Sequence, residues 1–119
     1  MDYNWIETYC LEKKGTVKEI KPEWGSINYL IGGKLFGMEG TDSKGRPIFT
    51  VKLEPSHGDF LRQQFEGIIP GYYMNKIHWN SIYLENCVPE NVIKDMIDES
   101  YELIFQSLPK KTQALIISK

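Results

Sequence analysis

Residues 26–53 read SINYLIGGKLFGMEGTDSKGRPIFTVKL, and this stretch decides the fold. In an extended strand successive side chains point to opposite sides, so Ile27, Tyr29 and Ile31 of SINYLI share one face. Gly32 and Gly33 can supply the positive φ that a tight hairpin needs. KLFGM follows as a second strand, and TDSKGR gathers turn-forming residues at a second hairpin. PIFTVKL then sets Phe49, Val51 and Leu53 against Ile48, Thr50 and Lys52. Strands joined by short polar turns predict an antiparallel meander.

Outward from the meander, the apolar period changes. Trp5, Ile6, Tyr9 and Cys10 recur at helical spacing, which predicts a short helix over 2–14 ended by Gly15. Residues 17–25 are ambiguous, because Pro22 and Gly25 interrupt any long element. After the meander, Pro55 and Ser56 start a helix. Ser56 is the expected N-cap with Asp59 three residues on, and Phe60, Leu61 and Phe65 form the expected apolar stripe. Residues 70–80 supply a turn and two further strands, the second being WNSIYLE. Pro89 then opens the clearest helix. Val92, Ile93, Met96, Ile97 and Ile104 form its buried stripe, Glu90, Asp95, Asp98, Glu99 and Glu102 its acidic side, and Pro109 its end. The expected fold is α+β in the order α-β(3)-α-β(2)-α: a two-layer domain over 1–119 whose antiparallel sheet carries its helices on one face. The other sheet face is expected to be partly open.

Composition narrows the function. The chain has 119 residues, 41% apolar and 25% charged, with a formal charge of −2. A dedicated nucleic-acid binder usually carries a basic excess. Only Arg46 and Arg62 are arginines, and arginine is the side chain best suited to bidentate base and phosphate contacts. Nothing requires Cys10 and Cys87 to pair, no basic-then-apolar leader pattern opens the sequence, and no apolar run is long enough for a membrane span. The expectation is a cytoplasmic protein with reduced thiols and no membrane association.

No catalytic constellation is legible. His57 and His78 lie far apart, Cys10 sits on an apolar helical stripe, and no nucleotide-binding glycine motif or metal-ligand spacing occurs. The chain is therefore expected to be no enzyme and to hold no metal or cofactor. PGYYMNKIHWN, residues 70–80, is the densest stretch, and it supports two readings. Trp79 and Tyr83 on the open sheet face, with Lys76 and His78 nearby, can stack on bases while lysine holds phosphate. Alternatively Trp79 packs as a small second core, and Asn75 and Asn80 serve the turn by bonding local backbone. Basic residues of the β portion, Lys34, Lys44, Arg46, Lys52 and Lys76, make a mild positive surplus that predicts weak, salt-sensitive binding.

PGYYMNKIHWNSIYLE, followed by DESYELIFQSLPKK at 98–111, closely resembles the MmcQ/YjbR-like family of small bacterial proteins. Pro70, Gly71, Tyr72, Met74, Asn75, Lys76, His78, Trp79 and Asn80 match its first motif. Ser100, Tyr101, Leu103, Leu108, Pro109, Lys110 and Lys111 match its second, and GGKLF resembles its hairpin. KPEWGS departs from the family pattern. The resemblance implies the same α-β(3)-α-β(2)-α fold, no catalytic activity, and DNA binding through a "double wing" of hairpins. On that reading the wings are Gly32–Lys34 and Asp42–Arg46. Lys34, Lys44, Arg46, Lys76, Lys110 and Lys111 contact phosphate, while Asn75, His78 and Trp79 give polar or stacking contacts. The fold also resembles that of secretion chaperones, so a protein partner, or self-association through the open face around Trp79 and Tyr83, is the alternative. A small-ligand pocket built from Tyr72, Asn75, His78 and Trp79 is a third.

Overall fold

The computed structural model describes residues 4–71, 74–86 and 88–118. The expected Tyr72 contact, Cys87 and the first residues of the 2–14 helix lie outside them. The elements are α1 (Trp5–Leu11), β1 (Thr16–Lys21), β2 (Ser26–Ile31), β3 (Lys34–Thr41), β4 (Pro47–Lys52), α2 (Pro55–Gln64), β5 (Ile68–Pro70), β6 (Trp79–Tyr83), α3 (Glu90–Ser107) and α4 (Lys110–Ile117). The strands form one antiparallel sheet in the order β1-β2-β3-β4-β6-β5.

The meander is where the alternation predicts it. Ile27 pairs with Glu39 and Glu39 with Phe49, and Phe49 pairs in turn with Ile82, so the apolar sets of β2, β4 and β6 share one face. Tyr29, Ile31, Phe49, Val51 and Ile82 of that face join Ile6 and Cys10 of α1, Leu61 of α2, Ile93, Met96, Ile97 and Ile104 of α3, and Ile116 of α4 in one core. All four helices therefore lie on the same side of the sheet, in an α+β arrangement. Between Tyr29 and Leu30 the β2–β3 register shifts, and Phe36 is the extra residue of the bulge. Ser100 of α3 serves that irregular spot. Its hydroxyl donates to the Phe36 carbonyl at 2.6 Å and accepts the Lys52 N–H at 2.9 Å.

The structure adds two elements to the expected order. Residues 16–21 are an edge strand, with Val17 and Ile20 both 60% exposed. With apolar residues exposed on both sides, the strand presents no hydrophobic face for alternation to reveal. Pro109 ends α3 as expected, but it also caps α4, whose Gln113 and Ile116 are buried. The start of α2 also differs: Glu54 is the N-cap and Pro55 the first helical residue, with no side-chain cap bond, so Ser56 lies inside the first turn. Phe60 is exposed, and the packed face of α2 is Gly58 and Leu61. A Cβ on Gly58 would lie 2.9 Å from the Asn80 amide nitrogen, so glycine lets α2 approach β6.

Candidate nucleic-acid interface

The sheet face away from the helices, expected to be partly open, is closed at its centre. Ile48, Thr50 and Ser81 alternate onto it, yet none is more than 1% exposed. The Thr50 and Ser81 hydroxyls bond each other at 2.7 Å. Gly71 and residues 74–78 form a strap at this face. Met74 lines a cavity there together with Ile48, and the strap rejoins the sheet where Leu53 N–H donates to the His78 carbonyl at 2.8 Å.

Most of the quoted motif builds this strap. Gly71 N–H donates to the Trp79 carbonyl at 2.7 Å, and a Cβ on Gly71 would lie 2.8 Å from Trp79 Cβ, so only glycine allows the approach. The Asn75 side chain accepts the N–H groups of Ile77 and His78, an Asx turn. Lys76 Nζ donates to the Gly71 carbonyl at 2.9 Å and closes the loop. Asn80 is fully buried, with Arg62 donating to its side-chain oxygen. Ile82 and Leu84 join the helix-side core, as the pleat predicts, and Trp79 and Tyr83 lie half-buried on the other side. Asn75, Lys76, His78 and Trp79 thus come together, but Asn75 and Lys76 hold backbone.

The hairpins of the expected wings sit at opposite ends of β3. At the 42–46 tip, Asp42 is buried and accepts four hydrogen bonds: Lys44 N–H and Arg46 N–H at 2.9 Å, Arg46 Nε at 2.8 Å and the Tyr83 hydroxyl at 3.0 Å. Burial would raise its pKa, but the Arg46 and Lys44 backbone donors, Tyr83 and the Arg46 guanidinium outweigh it and hold the carboxyl at about 2. Arg46 also lies 4.6 Å from the Tyr83 ring centroid. The tip is a braced turn, and its Arg46 is engaged within the protein.

At the other end, the 32–34 hairpin packs on the α3–α4 junction. Gly32 has φ +57°, and a Cβ there would lie 2.7 Å from Leu108. Lys34 follows the hairpin, and Lys110 and Lys111 follow Leu108 by two and three residues, so the Gly32–Leu108 approach brings the backbone positions of three lysines to one end of the molecule. All are exposed. Among the described residues, the side chains of Lys34, Lys44, Lys52, Lys110 and Lys111 have no acceptor. Lys13, Lys18, Lys21, Lys94 and Arg46 face carboxylates, Lys14 and Lys76 hold carbonyls, and Arg62 holds Asn80 and Asp59. Lys110 and Lys111 occupy the first turn of α4, where no acidic residue accompanies them. That is the positive end of the helix dipole, where cations are unfavourable and anions welcome.

His57 gains a partner the sequence did not reveal: its Nδ1 lies 2.6 Å from Glu99 Oε1, while Glu99 Oε2 accepts the Glu54 N–H. The pair joins α2 to α3. Cys10 is free and buried, and burial pushes its thiol up to about 12, away from reactivity. Among the described residues no group of three His, Cys, Asp or Glu could hold a metal ion, and no helix is long and apolar enough to cross a membrane.

Comparison with known proteins places the chain. The YjbR family model matches residues 11–103. The chain belongs to the YjbR family. It is 28% identical to YjbR of Escherichia coli K12 over 92% of each chain, and 34% identical to YyaQ of Bacillus subtilis over 82% of this chain and 93% of the relative. A crystal structure of a Deinococcus radiodurans protein with domain DUF419 shares the fold at TM-score 0.83 and 20% identity, over 93% of this chain and 84% of that one. A Pseudomonas syringae crystal structure does so at TM-score 0.75 and 21% identity, over 87% and 98%. The YjbR and YyaQ relatives are described as uncharacterized proteins, so membership brings a fold and does not by itself assign an activity.

Proposed function

We propose that this YjbR-family protein is a non-enzymatic nucleic-acid-binding protein, and that it contacts the phosphate backbone through the corner formed by Lys34, Lys110 and Lys111. The observation that carries this reading is the pair of exposed lysines without an acceptor, Lys110 and Lys111, on the N-terminal turn of α4, with Lys34 next to the hairpin that packs on the α3–α4 junction. Such a placement costs helix stability unless an anion comes to it. Lys44 and Lys52 lie elsewhere on the surface and stand outside the contact set. Lys76 and Arg46 stand outside the contact set, because the strap and the braced turn already engage them.

Three phosphate contacts predict weak binding to duplex DNA, with log K falling against log salt at a slope of about −3. Fluorescence anisotropy of a labelled duplex at low and near-physiological salt measures it. The combined Lys34→Gln, Lys110→Gln, Lys111→Gln protein should lose most of the slope, whereas Lys76→Ala should keep it. A slope that survives the triple substitution, or falls with Lys76→Ala alone, would place the contact on the strap instead.

A further inference from the structure

A cavity of about 470 Å³ opens between the strap and the sheet at the end away from the basic corner. Trp24, Met38, Ile48 and Met74 give it apolar walls, with Ser26, Gly40 and Thr41 completing the lining. Size and lining match small-molecule pockets, which are mostly apolar with a few placed polar groups.

Three features distinguish it from a packing gap. Ser26 lines it and is only 7% exposed, and its buried hydroxyl has no hydrogen-bond partner among the described residues. Buried hydroxyls are nearly always satisfied, so this one points to a group that is missing. Gly40 lies opposite Ile48 in the sheet interior, where glycine weakens a strand and often marks a close approach. A Cβ there would meet only Ser26 Cβ, at 3.9 Å. The cavity therefore depends on the side chain that Gly40 lacks. Trp24, 78% exposed on the β1–β2 turn, lies at its rim with a large aromatic face, and the thioethers of Met38 and Met74 adapt to ring edges.

We infer that this cavity is a binding site for a flat, largely apolar ring compound carrying one hydrogen-bonding group, which Ser26 receives while Trp24 and the two methionines hold the ring. The site shares no residue with the basic corner.

2-Naphthol, a fused aromatic with one hydroxyl, is the probe, and naphthalene is its control without one. Titration of the full chain with 2-naphthol, followed by amide and indole NMR shifts, should move Ser26, Met38, Gly40, Met74 and the Trp24 indole together and saturably. Ser26→Ala should weaken 2-naphthol about tenfold and leave naphthalene unchanged, the difference one hydrogen bond makes. Gly40→Val fills the space with a residue suited to strands. It should fold, keep DNA binding and abolish the shifts. Absence of saturable shifts, shifts confined to Trp24, or binding that persists in a folded Gly40→Val protein would overturn the assignment.

Discussion

At the scale of single residues, the chain uses polar side chains to support irregular backbone. Ser100 is the clearest case, since one hydroxyl satisfies both the Phe36 bulge carbonyl and the Lys52 N–H. Removing it strands two backbone groups near the core, so Ser100→Ala should lower stability by about 1–3 kcal/mol in urea unfolding. A change within error would mean that the neighbouring backbone finds other partners. Asp42 offers a test by pH. Its carboxyl is held at about 2 in the folded chain, against about 3.9 for an unperturbed aspartate. The unfolded chain therefore takes up the proton first, and stability from this group is present above about pH 4 and lost as pH falls through about 2. Asp42→Asn should be less stable than the parent at neutral pH, and the gap should close on acidification through that window. A gap that stays constant with pH would show that the carboxylate charge contributes nothing. Such roles were only half legible in the sequence. Asn75 could be read as a turn-former from its type, but Ser100 showed only a motif match and not its task, because its partners lie 64 and 48 residues away.

At the scale of elements, the segment of Gly71 and residues 74–78 has the clearest consequence. It is a strap pinned by the Gly71–Trp79 approach and the Lys76–Gly71 bond. Gly71→Ala forces a side chain into Trp79 and should cost about 1–3 kcal/mol, as overpacking does, with faster amide exchange at Ile77 and His78. Unchanged exchange would show that the strap does not depend on that approach. The elements themselves were legible where one face is buried. The β2–β4 meander follows from Ile27, Tyr29, Phe49 and Val51, and α3 from Ile93, Met96, Ile97 and Ile104. What escaped was β1, exposed on both sides, and α4, a short helix begun by the same Pro109 that stops its neighbour. The α2 start was misplaced because Ser56 is a good cap by type, while Pro55 already fits the first helical position. The strap-side cavity depends on Gly40, which lies beyond the KLFGM strand as read from sequence and whose meaning depends on its cross-strand partners.

At the scale of the whole molecule, the family motif and the candidate interface separate. Gly71, Asn75, Lys76 and Asn80 build the strap, Ser100 supports the β3 bulge, and Leu108 seats the Gly32 hairpin. The motif that identifies the family thus largely identifies its fold. The net charge of −2 hides a division of labour, in which most cations are matched within the protein while Lys34, Lys110 and Lys111 are left unmatched at one corner. The corner's location was not legible, because it depends on Leu108 meeting Gly32 across 76 residues of chain. The most direct test of the central claim is an NMR titration of the protein with a short DNA duplex at low salt, read residue by residue. Shifts should concentrate at 32–34 and 108–112, with the strap residues 74–78 and the tip at 42–46 nearly still. Shifts centred on the strap, or none at all, would contradict it.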